Sequence, residues 1–166
     1  SSRNTRGRKY FVVTGSRVTE LEREVIAGLN SVAGPAAFLA PVLRLFSRKR
    51  AESLSSLKKL FSSMQSAFDS GKHPVLCGAP AVICIASPAS NMQGKDDCVC
   101  YEQYLMLYAE SIGVASCING FTQIAHKNAE RFLGVPKGYT IHAAVMLGYP
   151  KYSYQRYVRY GEDITW

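Results

Sequence analysis

The chain has 166 residues and a mass of 18.3 kDa, enough for one domain of common size and too little for two well-built cores. With 47% hydrophobic, 11% aromatic and 19% charged residues, it is not a disordered tail, a collagen-like fibre or a coiled coil. Its longest apolar runs fall far short of the roughly 18 residues of a membrane span. The net charge of +8 is unevenly placed: residues 1–60 carry twelve Lys/Arg against four Asp/Glu, and residues 61–166 carry eight of each. A basic first third can pack against acidic surface or bind nucleic acid. Because the Lys/Arg at 3, 6, 8, 9 and 48–50 are not interleaved with stacking aromatics, the packing reading is preferred and nucleic acid is not expected as a partner. The first residue is Ser rather than Met, so a processed or absent upstream segment is expected.

In chain order, Tyr10-Phe11-Val12-Val13-Thr14 reads as a strand closed by Gly15. Thr19 and Glu22 form a capping-box pattern opening a helix to about Asn30. Gly34-Pro35 and Pro41 predict irregular or short helical structure over 36–45, before the Arg48-Lys49-Arg50 run, to which the sequence assigns no role. Leu54, Leu57, Phe61, Met64 and Phe68 recur at helical steps over 51–70, with Gly71 as a stop, and predict an amphipathic helix whose stripe packs in the core. Residues 80–86 predict a strand buried on both faces. Asp96-Asp97 start a helix through Ile112 that ends at Gly113, with the acids at the positive end of its dipole. A buried strand over 114–118, a turn at Asn119-Gly120, a helix over 122–132 stopped by Gly134, and a long strand over 139–147 follow. Four strands and four helices around a central mixed sheet place the chain in the α/β or α+β class.

Cysteines at 77, 84, 98, 100 and 117 are odd in number and lie mostly in apolar surroundings, which is reduced, intracellular usage and predicts a cytoplasmic protein. Cys98-Val99-Cys100 lacks the spacing of a zinc or iron–sulfur ligand pair, and no metal site is expected. His73, His126 and His142 are the only imidazoles, and none lies in a context that activates a nucleophile. Neither Asp96-Asp97 nor Glu162-Asp163 reads as a catalytic carboxylate pair, and there is no Gly-rich phosphate loop with a helix behind it. Polar clusters remain at the two ends, Ser1-Ser2-Arg3-Asn4-Thr5-Arg6 and Tyr152 to Arg159, whose hydroxyl, carboxamide and guanidinium groups suit a phosphorylated, ring-bearing cofactor. A solvated basic tail leaning its tyrosines on the core stands beside that reading.

The order of motifs resembles the nitroreductase family of FMN-dependent oxidoreductases. Ser1-Ser2-x-Asn4-Thr5 with the strand Phe11 to Thr14 is similar to that family's Pro-Ser-Ser-x-Asn-x-Gln-Pro-Trp segment and strand. Gly78-Ala79-Pro80-Ala81-Val82-Ile83, the helix from Asp97 through Tyr104 to Ala109, and Ile112 to Phe121 continue the series. Leu133 to Tyr139, Leu147-Gly148-Tyr149-Pro150 and the tail Arg159 to Trp166 complete it. The chain departs from the pattern at Arg6, where Gln is usual, and at Gly7-Arg8, which replace Pro-Trp; the family's Arg-Arg-Ser-x-Arg segment has no counterpart.

The resemblance implies an α+β, three-layer α/β/α fold with a mixed, mainly antiparallel sheet, a single flavin-binding domain over 1–166 lacking its natural N-terminal segment, and an intertwined homodimer. It implies FMN as cofactor, with NAD(P)H or reduced ferredoxin as donor and a small acceptor such as a nitroaromatic or quinone; a non-catalytic flavin-binding or partner-binding protein on the same fold is the alternative. Ser1, Ser2 and Asn4 would approach the flavin from the partner subunit, with Arg6 beside them. Backbone N–H groups around Asn119 and Gly120 would lie by flavin N5 and O4, while Cys117 and Ile118 would line the ring edge, Cys117 as a small, soft, buried residue. Arg159, helped by Arg156, would hold the phosphate. The tail and the Leu-Gly-Tyr-Pro motif are nearest to members with a ferredoxin-like domain ahead of the flavin domain, which implies an iron–sulfur cluster in an upstream segment.

Overall fold

The structure, a computed structural model, describes residues 7–38 and 48–152. Strand β1 (Lys9–Thr14) ends at Gly15, whose φ of +62° is a backbone that side-chain-bearing residues resist, and α1 (Ser16–Phe38) begins at once. The helix therefore starts ahead of the Thr19–Glu22 pattern and runs past Gly34-Pro35, where the sequence predicts an interruption. Tertiary packing overrides the local signal: Val18, Leu21, Val25, Ile26 and Leu29 form one buried stripe along it. Helix α2 (Arg48–Asp69) stops as predicted, with the Gly71 amide donating to Phe68 O and the Lys72 amide to Ala67 O in a Schellman pattern. Only the second half of its stripe is core. Phe61 and Met64 are buried, whereas Leu57 is 43% exposed, because α2 packs on α1 rather than on the sheet.

Strand β2 (Ala81–Pro88), helix α3 (Gly94–Ser111), strand β3 (Ala115–Ile118), helices α4 (Gly120–Ile124) and α5 (His126–Leu133), and strand β4 (Tyr139–Gly148) complete the described chain. The helix predicted over 122–132 is thus two pieces broken at Ala125. The break falls where α1 passes closest: a Cβ on Gly28 would lie 2.8 Å from that of Ala125, so glycine is required there.

The sheet order is β1-β2-β4-β3, and all three pairings among the described residues are antiparallel. Alternation sends Val82, Cys84, Ala144 and Met146 to one face, against α1 and α5, and Ile83, Ile85 and Ala143 to the other, against Cys98 of α3. The result is a three-layer α/β/α arrangement in which each fully buried Leu or Ile contributes roughly 1.5–3 kcal/mol. One expectation changes. Among the described residues β3 pairs only with β4 and stands at the sheet edge, so Ile118 is 43% exposed and the thiol of Cys117 is exposed, not buried.

Candidate functional site

At the end of β3 the chain turns a corner through Asn119. Its side chain is buried; Oδ1 accepts the amide and hydroxyl hydrogens of Thr122, both at 2.8 Å, which caps α4. Nδ2 donates to Val75 O at 2.7 Å, and the backbone amide donates to Ala144 O at 2.7 Å. Of the two amides that the sequence points to, the one at Asn119 is therefore held inside the protein. Among the described residues the Gly120 amide has no acceptor, and it stands as the donor at this corner.

Opposite the corner is the loop between α2 and β2. Glu22, fully buried on the apolar stripe of α1, accepts the amides of Val75 at 2.8 Å and Leu76 at 2.9 Å through Oε1, while Oε2 lies 2.7 Å from His73 Nδ1. Glu22 thus anchors a distant loop instead of closing a capping box. Beyond it, Cys77 at φ +53° and Gly78 at φ +65° occupy left-handed backbone in succession, and the chain turns sharply into Pro80. A non-glycine residue held there costs about 1–3 kcal/mol, tolerated because its neighbours are fixed.

Beside the loop, along β3 and the end of β4, lies a cleft of about 410 Å³, walled by Leu76 to Pro80 on one side and by Ala115 to Cys117 with Met146 to Tyr149 on the other. That volume falls within the roughly 300–1,000 Å³ of small-molecule sites, and its lining is mainly apolar with a few polar groups at the edge. Cys77 and Cys117 both line it, and both are exposed. Burial makes two other thiols inert: it pushes Cys84 up to about 12, and it raises Cys98.

Of the predicted site residues, Cys117 lines the cleft and Ile118, Asn119 and Gly120 follow it into the corner without lining the cleft, while Ser1, Ser2, Asn4, Arg6, Arg156 and Arg159 lie outside the described residues. The sequence reading missed Glu22 and Cys77. Glu22 was findable, since a carboxylate in register with Val18, Leu21, Val25 and Ile26 is a buried charge awaiting donors. His73 serves Glu22, and His126 Nδ1 lies 3.0 Å from Glu130, which also accepts the Ile141 amide. Among the described residues no three His, Cys, Asp or Glu side chains form a metal cluster, and no helix is long and apolar enough to cross a membrane.

The sequence profile of the Nitroreductase family matches residues 1–149. No curated protein is significantly similar in sequence. Among solved structures, the fold matches a nitroreductase with bound FMN from Desulfitobacterium hafniense, with a TM-score of 0.64 at 21% identity, covering 100% of this chain and 78% of that one. It also matches a nitroreductase with bound FMN from Bacteroides fragilis, with a TM-score of 0.63 at 18% identity, covering 99% and 78%. An FMN-dependent nitroreductase from Mycobacterium smegmatis in complex with NADPH matches with a TM-score of 0.58 at 18% identity, covering 91% and 72%.

Proposed function

Because the chain belongs to the nitroreductase family, we propose that it is an FMN-dependent oxidoreductase that moves two electrons from NAD(P)H or reduced ferredoxin to a small acceptor such as a nitroaromatic or quinone. The observation that carries this reading is the apolar cleft between the Leu76–Pro80 loop and strands β3 and β4, from whose wall at Cys117 the chain runs on into the Asn119–Gly120 corner. The donor set fits the group: a flat apolar wall, an amide at Gly120 without a partner among the described residues, and no nearby carboxylate lining the cleft to repel an anionic ring.

When bound, FMN supplies the two-electron chemistry, and the side chains need supply no nucleophile. Cys117 and Ile118 would lie beside the ring, and the Gly120 amide would be a donor for negative charge on it. Arg159 and Arg156 hold the phosphate by charge-assisted hydrogen bonds. Ser1, Ser2, Asn4 and Arg6 complete the site from a second copy of the chain.

The second copy has a candidate surface. Tyr104 and Leu107 on α3 are each 70% exposed, Tyr108 lies beside them on the same helix face, and ring contacts continue from Tyr104 through Tyr101 to Tyr10 on β1. A homodimer through this face is part of the proposal. The free cysteines agree with a reducing, cytoplasmic setting.

The test is optical. Purified protein is expected to show flavin absorbance, alone or after addition of FMN, and to bleach with NAD(P)H or reduced ferredoxin under anaerobic conditions. Protein that stays colourless after FMN is added overturns the reading, and flavin that no donor reduces leaves a flavin-binding protein without turnover.

A further inference from the structure

Two ties bracket the cleft beside the Leu76–Pro80 loop. At one end the walls touch, since a Cβ on Gly148 would lie 3.3 Å from Pro80 Cδ. At the other, Asn119 Nδ2 donates to Val75 O at 2.7 Å and lies 3.7 Å from Met146 Sδ. Both exposed thiols of the cleft fall inside this bracket. Cys77 lies between Val75 and Pro80 on the loop wall, and Cys117 lies on the strand wall between Asn119 and Ala115, which pairs with Gly148. Cys117 also stands directly opposite Met146 in the β3–β4 register, so the wall beside it is soft and apolar.

The lining selects what such thiols meet. Among the described residues no charged side chain lines the cleft, and its volume of about 410 Å³ suits a small ring compound. An ionic reagent finds no counter-charge there, whereas a flat, uncharged ring is drawn in by the apolar surface it removes from water. Thiolate sulfur is a soft nucleophile. Among uncharged ring electrophiles, quinones and related conjugated ketones are the class that it attacks by simple addition, with no leaving group to expel.

We propose that Cys77 and Cys117 make the cleft a covalent capture site for small apolar quinones. In the step, the sulfur bonds to a carbon of the conjugated C=C, whose electron pair moves to the carbonyl oxygen and takes up the thiol proton. The hydrogen of the attacked ring carbon then passes to the second carbonyl oxygen. The product is a hydroquinone thioether, and the protein gains the mass of one whole quinone with no outside oxidant or reductant. Capture needs no flavin and stands apart from the proposed function.

The test compares two reagents on the wild-type protein as purified, without oxygen and at less than one equivalent. The para isomer of naphthoquinone is the apolar probe; iodoacetamide, small and polar, reads the access and intrinsic reactivity of each thiol. Peptide mass spectrometry gives the yield at every cysteine. Flavin in the cleft slows both reagents and leaves their ratio unchanged. The quinone-to-iodoacetamide ratio at Cys77 and Cys117 is expected to exceed that at Cys100, which is exposed but outside the cleft, by about tenfold. In urea, which dismantles the cleft, the three ratios are expected to converge. Equal ratios at all three in folded protein overturn the proposal, and so does an excess that persists in urea, because it then belongs to the local sequence and not to the cleft. An excess at one cleft thiol alone confines capture to that residue and overturns the assignment of the other.

Discussion

Glu22 Oε1 accepts the Val75 amide at 2.8 Å across fifty-three positions of sequence, inside the main core. The same oxygen takes the Leu76 amide, so a single carboxylate fixes the entrance to the left-handed turn at Cys77. Glu22→Ala leaves two buried amides unpaired and is expected to cost about 3 kcal/mol, read from urea denaturation as a lower midpoint at constant slope. In a chain of this size the melting temperature falls by roughly 6–12 °C. Glu22→Gln, which still offers an oxygen, loses less.

Gly28→Ala tests the close passage of α1 over the break between α4 and α5. The added methyl meets Ala125 Cβ at 2.8 Å, and the variant is expected to lose roughly 1–3 kcal/mol. Removing the opposing methyl with Ala125→Gly should make the double variant more stable than the two single losses add up to. Strict additivity in that cycle would count against the contact.

Thiol labelling locates the flavin. Cys77 and Cys117 line the cleft, so alkylation of both, followed by peptide mass spectrometry, is expected to slow by about tenfold when FMN is tenfold above its dissociation constant. Cys100 is exposed but does not line the cleft, and it should label at an unchanged rate. Equal protection of all three, or of none, would place the flavin elsewhere.

Stability has an acid limb at His142. Burial first, then His126 and Lys95, hold this imidazole below its ordinary 6.5, with Glu130 pulling the other way. Between the folded value and 6.5 the unfolded chain holds more protons than the native one, so stability declines as pH falls through that window and levels off below it. His142→Gln is expected to flatten this part of the curve of unfolding free energy against pH. An unchanged slope would assign it to other groups.

If the outward face of α3 joins two copies, Tyr104→Glu together with Leu107→Glu should shift sedimentation toward monomer while leaving the circular dichroism of each subunit intact. Each apolar side chain denied burial removes roughly 1.5–3 kcal/mol from association. A wild-type chain that is monomeric at micromolar concentration removes this face as a dimer contact.

Much of the layer order was legible because it follows from periodicity and punctuation. The run of Val and Ile in β2, the glycine stops at 71 and 113, and the acids opening α3 all do what their local chemistry predicts. Motif order pointed to Cys117, which lines the cleft, and to Ile118, Asn119 and Gly120, which follow it into the corner. The misses are places where distant packing outweighs a neighbour's preference. Pro35 argues against a helix that α1 nonetheless continues, and Ala125 carries no break signal although two helices meet there. Glu22 reads as an ordinary helix residue until the stripe beside it is counted, because donors 53 and 54 positions away cannot be seen in a local window.

The peptide groups at Val75 are engaged on both sides: N–H to Glu22 from the α1 layer, C=O to the Asn119 side chain at the corner. The corner is tied in turn to Ala144 of β4 through the Asn119 amide. Four segments distant in sequence thus form one line of hydrogen bonds that runs from α1 to the sheet edge. Each link of this line holds the next in place, so its amides are expected to belong to one cooperative unit that is released together in subglobal unfolding, not one turn at a time.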